Sequence, residues 1–111
     1  MKIFSGNYCA QGDLNLFSVS VIPDGLTKLE PHDGQHVLAH SETGHHHVID
    51  GNTVRVYKED EFVSYLDVEQ PSNVVHLRSF DRHETIQLPP GKYRVTRQRE
   101  YTPEGFRVAQ D

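Results

Sequence analysis

The sequence predicts a small all-β fold, a single-domain β-barrel or jelly-roll sandwich of about eight or nine short strands. Short β-branched and aromatic runs recur about every ten residues, punctuated by Gly, Pro, Asn and Asp. No stretch shows the apolar period of about 3.6 residues that a helix requires. The 111 residues suffice for one core and are too few for two comfortable ones. Closing a barrel or stacking two sheets is the economical way to protect so many strand edges.

Residues 14–22 alternate small polar and apolar side chains and stop at Pro23-Asp24-Gly25, where proline and glycine preset a turn. Residues 26–33 are broken by Pro31 and Asp33-Gly34 into loop and short edge pieces. Residues 35–40 read as a strand, the turn Ser41-Glu42-Thr43-Gly44 follows, and residues 45–49 form the next strand. Asp50-Gly51-Asn52 then makes a hairpin into residues 53–57. Segments 62–68, 74–77 and 84–88 are further short strands, ended by Pro71-Ser72-Asn73 and by Pro89-Pro90-Gly91. The clearest alternation covers residues 93–101, and Thr102-Pro103-Glu104-Gly105 turns it back into residues 106–109. Phe17, Tyr57, Phe62, Tyr65, Phe80, Tyr93, Tyr101 and Phe106 fall at strand positions and read as core or cross-strand pairs.

Composition excludes several classes. The apolar fraction is 35% and its longest runs are a few residues, far from the roughly 20 needed to cross a bilayer, so a soluble protein without a membrane partner is expected. The first residues lack the apolar stretch of a secretory signal, and a single cysteine allows no internal disulfide; both fit a reducing, cytoplasmic setting. The net charge of −5 argues against global attraction to nucleic acid. Glycine fingerprints for phosphate or dinucleotide binding and a nucleophile elbow are missing.

The strongest chemical signal lies in Thr43-Gly44-His45-His46-His47-Val48-Ile49, among eight histidines in the chain. Residues two apart on a strand share a face, so His45 and His47 should project side by side while His46 points away. Two neutral imidazoles at that spacing suit a divalent transition metal such as Zn, Fe or Ni. A firm site needs more donors, and His76 and His83 are the natural suppliers. His36 is an alternate ligand, and Asp50 or Glu84 could give a carboxylate directly or fix an imidazole tautomer. His32 and His40 read as ordinary polar residues, and the same plain reading applies to histidines on a solvated strand face.

A second signal is basic. Lys92, Arg94, Arg97, Arg99 and Arg107 gather in the last fifth of an otherwise acidic chain. Arg94, Arg97 and Arg99, interleaved with Tyr101, form a hairpin that could grip a protein or nucleic-acid partner; pairing of these arginines with acidic neighbours across the sheet is the competing explanation. Exposed strand edges would also suit a homodimer.

The elements Thr43-Gly44-His45-His46-His47, Leu88-Pro89-Pro90-Gly91-Lys92-Tyr93-Arg94-Val95 and Arg97-Gln98-Arg99-Glu100-Tyr101-Thr102-Pro103-Glu104 together resemble a small, functionally uncharacterised family of phage and bacterial proteins. The resemblance runs from Gly12 onward. Its T-G-H-x-H element falls on Thr43, Gly44, His45 and His47, and its histidine ahead of L-P-P-G-x-Y falls on His83. A looser resemblance is to cupins, β-barrels whose H-x-H strand and later histidine hold a metal. His45 and His47 match that pair, whereas the following glutamate is replaced at best by Asp50 and the second cupin motif is missing. Two functions are therefore expected in competition. One is a metal-binding, cupin-like β-protein, whose open coordination position would supply any catalysis. The other is a non-enzymatic, phage-associated or structural protein that docks a partner through its basic hairpin.

Overall fold

A computed structural model describes residues 1–39, 46–76 and 85–97, together with the backbone of 99–102 and 105–108. It is all-β, with no helix among the described residues. Thirteen strands are described against the eight or nine expected. They are β1 (Lys2–Ile3), β2 (Tyr8–Gln11), β3 (Leu14–Val19), β4 (Thr27–Leu29), β5 (Gln35–Ala39), β6 (His47–Asp50), β7 (Val54–Lys58), β8 (Val63–Val68), β9 (Ser72–His76), β10 (Ile86–Leu88), β11 (Gly91–Arg97), β12 (Arg99–Thr102) and β13 (Gly105–Val108).

Strands β1-β10-β9-β6-β5 form one sheet and β2-β3-β11-β8-β7-β4 a second, while β12 and β13 make a separate hairpin. Among the described residues the ladders end at β1 and β5 and at β2 and β4, so the barrel expectation gives way to two open sheets. The sheets share one apolar core. Leu38, Ile49, Val74, Ile86 and Leu88 from the five-stranded sheet meet Leu14, Leu16, Val54, Val56, Leu66, Val68 and Val95 from the six-stranded one. Phe4 packs edge-on against Tyr93, with ring centroids 5.1 Å apart. Alternation explains which residues turn inward: on β11, Tyr93 and Val95 are buried, and Lys92, Arg94 and Thr96 face the other way.

The extra strands are short edge pieces whose polar residues hide the pattern. Strands β2 and β3 are joined by a two-residue turn, Gly12-Asp13, in which Gly12 takes φ +59°. A glycine of positive φ in the first central position suits the primed turns that match strand twist. Asp33 and Gly34, at φ +52° and +76°, form a second tight turn, closed by His32 and Gln35 exchanging both backbone hydrogen bonds. This turn delivers the chain into β5, where the register with β6 shifts between Val37 and Ala39. The irregularity lies opposite His47.

Candidate functional site

The candidate site lies where β6 begins, β9 ends and the Gly12-Asp13 turn approaches from the opposite sheet. His47 opens β6 and His76 closes β9, and the two are direct partners in the antiparallel register. Their side chains therefore emerge on the same face, toward the core. The rings stack almost parallel, with centroids 4.2 Å apart and planes 2° apart. Both residues are buried, His47 to 1% exposure.

Two polar residues cross from the other sheet to meet His47. Gln11 Nε2 donates to the backbone carbonyl of Val74 at 2.9 Å, which leaves its Oε1 facing His47 Nδ1 at 2.8 Å. A carbonyl oxygen only accepts, so His47 Nδ1 carries a hydrogen and donates it. His47 Nε2 then lies 3.2 Å from Asp13 Oδ1, and Asp13 is itself only 8% exposed. His47 Nε2 and a buried carboxylate oxygen thus face each other across the corner. Such a contact is stable when a proton lies between the two atoms, or when a cation sits beside the line joining them within reach of both.

The stacked partner plays a different role. A metal ion lies about 2.0–2.1 Å from an imidazole nitrogen, along its in-plane lone pair. Two parallel, stacked rings do not turn their in-plane nitrogens toward a common point, so His76 contributes to this corner by stacking on the His47 ring.

His45, His83 and Glu84 lie outside the described residues. Asp50 sits at the far end of β6, exposed, and its Oδ1 accepts from the Asn52 backbone N–H at 2.8 Å in the turn. His36 is buried on β5, but its Nε2 donates to the Val54 carbonyl at 3.1 Å. Burial pushes the His36 pKa down, against the smaller upward pulls of the Val54 hydrogen bond and Glu30. Among the described residues, no group of three or more His, Cys, Asp or Glu side chains is placed to hold a metal.

Of the basic candidates, Arg94 is half-buried on the outer face of β11, and Arg97 is half-buried on the side that carries Tyr93 and Val95. Arg99 and Tyr101 belong to β12, where their side chains lie outside the described residues. The sequence reading missed Gln11 and Asp13. The signal was available in Gly12-Asp13, a dipeptide typical of two-residue hairpins. It would have made β2 and β3 neighbours and turned attention to the residues beside the turn.

The family comparison fits this picture of a fold without an assigned chemistry. The model of DUF8820, a domain of unknown function, matches residues 10–98. The chain belongs to this family. The matched span of the DUF8820 domain contains Gln11, Asp13, His47 and His76, and also β3 to β11. No curated protein and no solved structure matches the chain. Among the described residues, no helix is long and apolar enough to cross a membrane.

Proposed function

We propose that this DUF8820 protein binds a divalent transition metal ion, with His47 Nε2 and Asp13 Oδ1 as its innermost ligands. The observation that carries the reading is the 3.2 Å approach of these two atoms in a buried setting, with His47 Nδ1 already committed to Gln11. Ligands of a tetrahedral Zn²⁺ site, at about 2.0–2.2 Å from the ion, stand about 3.3–3.6 Å from each other, so a small outward shift of the two atoms would admit the ion. Gln11 then acts as the outer partner that fixes the imidazole tautomer, an arrangement common to metal-bound histidines. The cupin resemblance of His45 and His47 is kept in this proposal, with Asp13 from the turn between β2 and β3 in place of the acidic ligand missing after the H-x-H pair. His45 and His83 are the further donors to test, since two ligands alone hold a metal weakly. Histidine nitrogens with one carboxylate suit Zn, Fe or Ni, and an open position on the ion would polarise a bound carbonyl or activate water.

Elemental analysis of protein purified without a histidine tag and without chelator tests the proposal. Wild type should carry close to one metal ion per chain, and His47→Ala and Asp13→Asn should each lose most of it. Wild type that neither retains metal nor takes up added Zn²⁺, Fe²⁺ or Ni²⁺ would leave the contact as a proton-bridged polar clamp between the sheets.

A further inference from the structure

The outer face of the six-stranded sheet carries a feature unrelated to the histidine corner. Direct cross-strand partners align Tyr8 with Phe17, Phe17 with Arg94, Arg94 with Tyr65, Tyr65 with Tyr57, and Tyr57 with Lys28. Partners in an antiparallel ladder point to the same face, so these six side chains form one unbroken row across all six strands. At about 4.8 Å per strand the row spans about 24 Å. Tyr8 is 51% exposed and packs at 5.1 Å against Phe17, which is half-buried, as is Tyr57; Tyr65 is the buried floor of the row.

The charge of this face opposes that of the chain. The protein has a net charge of −5. Yet Lys28, Arg55, Lys92 and Arg94 face outward here, and Asp67 is the one carboxylate among the outward-facing strand residues described. Asp67 is matched by Arg55, which also pairs with Glu69. Beside the row, residues 20–26, Asp24 among them, line an open cleft of about 450 Å³ with Tyr57, Asp67 and Lys92. That volume lies in the range of about 300–1,000 Å³ usual for small-ligand pockets.

We propose that this face binds single-stranded nucleic acid, with bases stacking on Tyr8, Phe17 and Tyr57 and phosphates held by Arg94, Lys28 and Lys92. Aromatic faces accept any base and interleaved cations follow the backbone, the combination found in sequence-tolerant single-strand binders. A carboxylate-free row of aromatics and cations is complementary to a polyanion with flat apolar groups. An acidic peptide would use the cations but not the rings. The cleft lined by residues 20–26 takes one nucleotide, with Tyr57 as its wall and Lys92 at its phosphate. The proposal is independent of metal binding, because the row lies on the opposite side of its sheet from the core that holds His47.

The test is fluorescence anisotropy of a labelled oligothymidylate and an oligouridylate of about 12 nucleotides, within the range of about 4–16 that small β-domains cover. Binding is expected at low salt and should weaken as salt rises. Tyr8→Ala and Tyr57→Ala should each weaken it about 5- to 100-fold, the usual loss for one stacking partner. Arg94→Gln and Lys28→Gln should each flatten the salt dependence by about 0.7 of a charge. Tyr8 and Lys28 are exposed, so their variants keep the test sound if the half-buried positions do not tolerate change. Amide chemical-shift changes in wild type should map to β2, β3, β11, β8, β7 and β4. The proposal is overturned by no binding at low salt, by heparin competing equally while Tyr8→Ala has no effect, or by shifts confined to the five-stranded sheet.

Discussion

His36 and His47 sit on neighbouring strands of one sheet, both buried and both turned toward the same core, yet the structure uses them differently. His36 gives one hydrogen to a backbone carbonyl beside a cleft that Glu30 also lines, and burial outweighs the pull of Glu30 to disfavour its charged form. His47 is held by Gln11 on one side and faces the Asp13 carboxylate on the other, with a second imidazole stacked on its ring. Burial alone thus makes a histidine structural. A carboxylate opposite the ring nitrogen makes a site at which a cation can be held.

Substitutions can break this contrast in order of their effect. The largest is expected at the corner: Asp13→Ala or His47→Ala removes the buried contact between the two sheets, at a cost of about 3–5 kcal/mol in denaturant unfolding. Equal losses from His36→Ala and Asp13→Ala would erase the distinction. Next comes Gly51→Ala, close to His36, because an added Cβ would run into the Pro31 side chain while the Gly51 N–H is tied to the Gly34 carbonyl at 2.8 Å. Overpacking of this kind costs about 1–3 kcal/mol, read as a lower unfolding midpoint.

The pH response sharpens the same comparison. The folded-state pKa of His36 lies below its unfolded value, so the unfolded chain binds more protons in the acid range and stability rises with pH there. The contribution is complete above the ordinary histidine pKa of about 6.5 and is lost as pH falls from there through the lowered folded value. Thermal midpoints measured downward from neutral pH should therefore drop, and His36→Gln should flatten that part of the profile. An unchanged slope would remove burial as the cause. The smallest effect belongs to an exposed pair: Arg55→Ala gives up its contacts with Asp67 and Glu69 for about 0.2–1 kcal/mol, less at high salt.

The alternating strands were legible because their side chains sort themselves by face. Residues 93–97 show this best: Tyr93 and Val95 are inside and Arg94 is outside, as alternation requires. The strand Tyr8–Gln11 escaped because it is a brief edge element with polar members, and pairing rather than composition makes it a strand, whereas Thr27–Leu29 is one of the short edge pieces expected in residues 26–33. The site was legible in part. The meeting of His47 with His76 could be anticipated from two histidines on short strands. Gln11 and Asp13 could not be found by hydrophobic pattern, since polar residues beside a turn read as solvent-facing until the opposite sheet closes over them. Nor does pattern set the tilt of a ring; the parallel stacking of His47 on His76 follows from their register as direct partners.

The most direct measurement is a crystal structure of untagged protein grown with Zn²⁺, with anomalous diffraction collected on both sides of the zinc edge. Our account predicts an anomalous peak about 2.0–2.2 Å from both His47 Nε2 and Asp13 Oδ1, with Gln11 still on Nδ1. A map with no peak there, and with the imidazole and the carboxylate in direct hydrogen-bonded contact, would contradict it.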